Sequence, residues 1–221
     1  MFEVLQSSFK FSFLFFKDVK NLKYFVPGLL LTFLFYIVFD FKYFGYPSFS
    51  WDNIGAYFSF QAYYFLTFIL LSPFLSQLSN DINEKEFGIV TPFSFYQLIK
   101  DLIRLLFLVL SLFLIQIGLT FGWWLLTFIL PDFFSALDLF FNFSLKALLF
   151  GFAFVDYSLE RENWSVSSSV SFFKTNSKFL LLIGFLFLML MNIPIIGLVI
   201  APVVSTVIGT YFFLKREKGL L

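Results

Sequence analysis

Charged residues are absent from one long segment of the chain, residues 179–214, which holds 36 consecutive uncharged positions. As a single α-helix it would measure roughly 54 Å at 1.5 Å per residue, whereas the hydrocarbon core of a bilayer is about 30 Å thick. Pro194 and Pro202 each lack the backbone N–H that continues a helix, and Gly197 lies between them. The pattern predicts a hairpin that dips into the bilayer, with one arm ending before Pro194 and the other beginning at Pro202, each about 20 Å long.

Three more apolar blocks precede this segment. Residues 24–39 and 53–80 contain no charge, and they predict two long transmembrane helices, the second of which continues as an amphipathic stalk. Residues 105–155 turn at Pro131 and predict a first hairpin. Its return arm has 25 residues, about 37 Å, so whether this hairpin stops halfway or crosses stays open.

The chain is thus predicted to be an all-α integral membrane protein with one membrane domain. Near the N-terminus, Lys10, Lys17 and Lys20 flank Phe and Leu residues, which favours a helix lying at the lipid headgroups over the alternative that the segment is the frayed start of the first span. Both hairpins are expected to penetrate the bilayer only partly. The predicted parts are an interfacial helix at 1–22, a first span at 23–42, a second span with its cytoplasmic stalk at 52–87, a first hairpin at 93–157, a charged connection at 158–178 and a second hairpin at 179–218.

The return arm of the first hairpin carries a polar stripe. Ser135, Asp138, Asn142 and Lys146 fall on one side of a helical wheel, with Phe and Leu opposite. An ionised side chain at the bilayer centre costs roughly 2.5 to 3.5 kcal/mol, so Asp138 and Lys146 must lie shallow, pair with other groups or line water. We predict that the four residues line an aqueous path, and a purely structural role for Asp138 and Lys146 remains an equal alternative.

Composition narrows the functional classes. Hydrophobic residues make up 60% of the chain and charged residues 13%, as in an integral membrane protein. With no Cys and no His, the chain has no thiolate or imidazole for a metal site, and we predict neither a cofactor nor enzymatic activity. Asp132 and Asp138, the acidic residues within an apolar block, lie on one arm without a paired motif. The net charge of +1 indicates no nucleic-acid partner.

The basic residues predict the topology. Thirteen of the 15 fall into four clusters, which two spans followed by two hairpins would place on one side of the membrane. Because cytoplasmic segments collect Lys and Arg, both termini are predicted to be cytoplasmic, although insertion in both orientations stays open.

A charged segment reading VDYSLERENWSVSSSVSFFKTNSK begins at Val155 and leads into an apolar run that contains IP, AP and VIGT. This order of motifs resembles the CysZ sulfate permeases, a family that includes the eukaryotic etoposide-induced membrane proteins. The resemblance implies a homo-oligomer in the bacterial inner membrane that conducts sulfate or a similar small inorganic anion. The family's Asp-Tyr-Pro motif reads Asp156-Tyr157-Ser158 here; we interpret Asp156 as an anchor of the charged connection and Tyr157 as an interfacial side chain.

Two departures from the family pattern concern the anion. The permeases carry two arginines at the start of the first long helix that are associated with sulfate, and this chain has Lys20 and Lys23 there. These lysines are predicted anion ligands, and a lysine binds an oxyanion only as a point charge. Because basic residues collect at this position in any membrane protein, a role as topology and headgroup anchors is favoured over the ligand role. A Gly-Leu-Leu-Ala-Glu stretch of the family is replaced by SQLSN at 76–80.

A different class of function therefore stays open beside anion transport. A membrane scaffold or tether would transport nothing and would dock partners through the stalk of the second span. In this alternative Gln77, Asn83 and Glu84 would face a soluble partner.

Overall fold

The computed structural model describes residues 2–39, 54–88, 95–162, 164–193 and 196–217. Within these ranges every regular element is a helix. A 3₁₀ segment, Val19–Phe25, connects the first two α-helices. The α-helices are α1 (Phe2–Lys17), α2 (Val26–Phe39), α3 (Ile54–Phe87), α4 (Phe95–Ile129), α5 (Pro131–Arg161), α6 (Val166–Met191) and α7 (Ile196–Glu217).

The centre of the fold is formed by α5, α6 and α7. Glycines let α5 and α6 pack backbone to backbone, because a Cβ at Gly151 would overlap the Leu180 carbonyl and one at Gly184 would overlap the Ala147 carbonyl. Helices α6 and α7 form a hairpin, and the stacked rings of Phe179 and Phe212 join its two arms away from the turn. On the outside, α3 packs on α7 and α4 packs on α5.

Four helices of the described chain are long and apolar enough to cross a membrane, which makes this an integral membrane protein. The candidate spans are Leu106–Ile129, Ala136–Glu160, Ser167–Met191 and Ile196–Arg216. They are the arms of the two predicted hairpins, and each is long enough to cross by length alone. The proposed division into two full spans and two partial hairpins remains a prediction.

The second hairpin differs from its predicted shape. Pro202 lies inside α7, so the prediction of a break at this residue is wrong. The arms are accordingly longer, about 39 Å for α6 and 33 Å for α7. A proline is tolerated within a membrane helix when its neighbours compensate, and α7 contacts α1, α2, α3, α5 and α6.

The other predicted turn residues have separate outcomes. Pro131 occupies the first turn of α5 directly after α4 ends, a position where its missing N–H is not needed. Gly197 is the second residue of α7. Because glycine has no Cβ, the Leu190 carbonyl can approach its Cα closely. Pro194 lies outside the described residues.

The charged connection predicted at 158–178 is largely helical. Its first residues complete α5, and its second half forms the start of α6. At Asn176 the backbone of α6 leaves the helical region, with φ −116° and ψ 15°, and the helix bends there. The Asn176 side chain donates to the Phe172 carbonyl at 2.9 Å across this bend.

Helix α1 covers the region predicted to be interfacial. Its inner face carries Ser8 and Ser12, both buried, and Phe11 stacks on Tyr211 of α7 with ring centroids 4.2 Å apart. Phe13 and Leu14 on the other side are exposed. A helix that turns small serines toward the protein and apolar side chains outward suits a lipid surface. Its location at the headgroups stays our interpretation.

Candidate functional site

The 3₁₀ segment meets the end of α3 in a group of polar side chains, here called the junction cluster: Asn21, Lys23, Tyr24, Asp81 and Lys85. The Lys23 ammonium lies 3.3 Å from the Asp81 carboxylate, and the Tyr24 hydroxyl donates to the same carboxylate oxygen. Lys85 donates to the Asn21 side chain at 2.9 Å. Two elements 57 or more residues apart are thus joined through charged and polar contacts.

Local sequence explains how the cluster is presented. The Asp18 carboxylate caps the 3₁₀ segment by accepting from the Lys20 backbone N–H at 3.1 Å. The Asn21 amide donates to the Phe15 carbonyl at 2.7 Å and fixes the segment on α1. Burial, and secondly the hydrogen bond to Asp81, raise the pKa of the Tyr24 phenol above its usual value. Tyr24 therefore stays a neutral donor to Asp81.

The predicted anion ligands are only partly brought together. Lys23 keeps 57% of its side chain exposed, but a carboxylate stands beside it. Lys20 is exposed and directly precedes Asn21 in the chain. Sequence reasoning did not single out Lys85 or Asp81 as neighbours of Lys23, because only the docking of the 3₁₀ segment on α3 creates that contact. Counting Lys23, Asp81 and Lys85, the cluster carries one net positive charge.

The polar stripe of α5 is present in part. Asn142 donates to the Asp138 side chain at 2.8 Å and to the Asp138 carbonyl at 3.1 Å. Lys146, one turn further on, is 9% exposed although it lies near the middle of a candidate span. The side chain of Ser135 lies outside what the structure describes. The stripe therefore places a buried amine and a carboxyl–amide pair within the membrane domain.

Helix α4, which packs on α5, carries three polar side chains that sequence reasoning missed. Gln116 and Thr120 are 2% and 4% exposed, and the Trp123 indole stacks on Phe141 of α5 with centroids 4.0 Å apart. In the described part of the chain, no hydrogen-bond partner lies near the Gln116 amide nitrogen, the Thr120 hydroxyl or the Trp123 indole nitrogen. Each such buried group costs about 1 to 3 kcal/mol. Their i, i+4, i+7 spacing within an apolar helix was the available signal.

A buried ion pair connects α4 to the charged connection. The Arg104 guanidinium donates to Asp156 at 3.0 Å, to the Trp164 carbonyl at 2.6 Å and to the Ser169 hydroxyl at 3.1 Å. Asp156 thus anchors α4, α5 and the start of α6 to one another. The neighbouring Tyr157 is fully buried within the core, so its predicted interfacial position is wrong. Its side of α5 is covered by other helices, which the local sequence does not reveal.

Comparison with known families identifies the chain's relatives. The model of the family described as "Sulfate transporter CysZ/Etoposide-induced protein 2.4" matches residues 6–202, most of the chain. The chain belongs to this family. The resemblance predicted from its motifs is confirmed, and with it membership of a family of membrane transporters. A search of curated proteins found no match.

Two positions where this CysZ-family chain departs from the family pattern meet in the fold. Ser158 replaces the family's Pro, and Ser79 belongs to the altered stretch at 76–80. With Thr210 of α7 they form a buried triangle of hydroxyls, with oxygen–oxygen distances of 3.3, 3.1 and 3.1 Å. Mutual hydrogen bonds satisfy these groups away from water. The two departures therefore act together as one contact between α3, α5 and α7.

Proposed function

We propose that this protein moves sulfate or a similar small inorganic anion across the membrane, passively or coupled to another ion. The observation that carries the proposal is the buried Lys146 near the middle of a candidate span. A cationic side chain is expensive at that depth, and such residues usually line an ion path or pair within it. Membership of a sulfate-transporter family supports the same conclusion.

The path would run from the junction cluster to the α4–α5 interface. Lys23 and Lys85 supply positive charge at the mouth, and Asp81 moderates it. Lys146, Asn142 and Asp138 would follow along α5. In this proposal the mouth faces the cytoplasm of a bacterial inner membrane, both termini lie on that side, and several protomers assemble as a homo-oligomer around the path. The sequence contains no Gly-rich phosphate loop, so the chain itself supplies no ATP coupling.

Flux of labelled sulfate into liposomes containing the purified protein tests the proposal. We expect uptake above that of empty vesicles, and a reduction of about tenfold or more in Lys146→Met, because a hydrogen bond or ion contact to a charged group is lost. Lys174→Met is the matched control, since Lys174 is exposed on α6. Uptake equal to empty vesicles, from protein that elutes as a folded species, would refute transport.

One observation favours the tether as a second candidate. Asp81 already pairs with Lys23, the lysine nearest to the family's anion site. The stalk exposes Gln77 and Glu84, whereas Asn83 is buried and so cannot be presented to a partner as predicted. Capture of one stoichiometric partner that is lost in Gln77→Ala/Glu84→Ala would support this function, and retention of that partner by the variant would count against it.

A further inference from the structure

We propose that the α4–α5 interface contains an oxyanion-binding site whose donors are Gln116, Thr120 and Trp123 of α4, at the level of Lys146 of α5. The proposal rests on the transport function proposed above, because the site on α4 would form the other side of the path that runs along α5. It assigns the binding step to residues on α4 that neither the motifs nor the polar stripe indicated.

The donors form a continuous row on the buried face of α4. They recur once per turn, and in the described ranges none of the three has an acceptor within hydrogen-bond distance. Buried polar groups in native proteins are nearly always paired, so a run of three unpaired donors calls for a ligand or water. All three groups can donate: a side-chain amide, a hydroxyl and an indole N–H.

The register of the two helices brings the start of this row to the same level as Lys146. Two contacts fix the antiparallel pairing: Trp123 stacks on Phe141, and Arg104 binds Asp156. Counting equal steps along both helices from these contacts brings Gln116 level with residues 144–148, which include Lys146, and Thr120 level with residues 140–144. Gln116 lies 12 residues from Arg104, about 18 Å deeper along α4.

The chemistry selects an anion that accepts hydrogen bonds and donates none. Sulfate at neutral pH has four acceptor oxygens and two negative charges, so the α4 donors and one ammonium complement it. The oxygens of Gln116 and Thr120 can also accept hydrogen bonds, but the unpaired nitrogens of Gln116 and Trp123 only donate, and the Lys146 ammonium at the same level would repel a cation. The site is accordingly predicted to take small, fully deprotonated oxyanions.

Cysteine labelling tests the site independently of transport, because the chain contains no Cys. Thr120→Cys should react with a water-soluble, negatively charged thiosulfonate, and sodium sulfate should slow the reaction several-fold relative to sodium gluconate at equal ionic strength. Leu119→Cys is the matched control: this neighbouring residue is 47% exposed on the outer face of α4, where lipid would cover it. Gln116→Cys provides a second probe should Thr120→Cys not fold.

Flux measurements on the double variant Gln116→Leu/Thr120→Val complete the test. We expect sulfate uptake to fall by about tenfold or more, while Gln6→Leu/Thr175→Val, two exposed polar positions, should transport normally. If the double variant transports sulfate normally, and the introduced cysteines either do not react or react at the same rate with and without sulfate, the site is refuted and the transport function is not. Labelling that sulfate blocks, without any flux, would support the site and refute transport. Absence of both would refute both.

Discussion

Loss of the Arg104 guanidinium should destabilise the fold more than loss of the charge on its partner, Asp156. The two side chains differ in their access to water: Arg104 is 20% exposed and Asp156 only 2%. Arg104 also has two other acceptors, the Trp164 carbonyl and the Ser169 hydroxyl. Removing the guanidinium therefore leaves a buried carboxylate without its cation, whereas removing the carboxylate leaves an arginine that is still hydrogen-bonded.

The expected magnitudes follow from that asymmetry. Removing one partner of a buried ion pair, so that the other charge stays buried without a counterion, costs about 3 to 5 kcal/mol of folding free energy. Arg104→Met should therefore destabilise the protein by that amount. Asp156→Asn should cost about 1 to 3 kcal/mol, the range for a lost hydrogen bond to a buried polar group. For a chain of this length each kcal/mol lowers the melting temperature by about 2 to 4 °C, so Arg104→Met should lower it by roughly 6 to 20 °C.

Thermal unfolding of detergent-purified protein, followed by size-exclusion retention after heating, measures these differences. The double variant Arg104→Met/Asp156→Asn should be more stable than Arg104→Met alone, since it no longer contains a stranded charge. A melting temperature for Arg104→Met that equals or exceeds that of Asp156→Asn would show that the carboxylate is not held by the guanidinium in the way described.

Three further predictions concern packing and the junction cluster. Gly184→Ala would make a Cβ overlap the Ala147 carbonyl, which is backbone and cannot rotate away, and should destabilise by at least about 1 to 3 kcal/mol in the same melting assay, whereas Gly118→Ala, in open space, should not. Asp81→Asn should tighten labelled-sulfate binding by removing the carboxylate beside Lys23; unchanged equilibrium binding would argue against an anion site there. The pKa of Tyr24 is raised in the folded state, so the stabilisation that this phenol contributes is complete below about pH 10 and declines at higher pH, where the tyrosine of the unfolded chain ionises. Tyr24→Phe should therefore show a shallower loss of melting temperature at alkaline pH.

The sequence allowed the membrane class and the family to be predicted because both depend on the one-dimensional arrangement of residues. Long uncharged runs predict helices in lipid, and the order of the Asp156 motif, IP, AP and VIGT identified the relatives. The same reasoning failed at Pro202, where a local rule about backbone donors was outweighed by the packing of α7 against five other helices. It also failed at Tyr157, since an amphipathic ring does not reveal which helix faces will be covered.

The sequence by itself determined that this protein lies in a lipid bilayer, that it is helical and which family it belongs to, because each follows from composition and the spacing of apolar and charged residues. Only the tertiary structure decided which polar groups share a site. The pairing of Lys23 with Asp81, the meeting of Ser79 with Thr210, and the burial of the α4 donors against α5 all depend on the register between helices distant in sequence. That register is set by close contacts such as those at Gly184, which no local pattern of residues specifies.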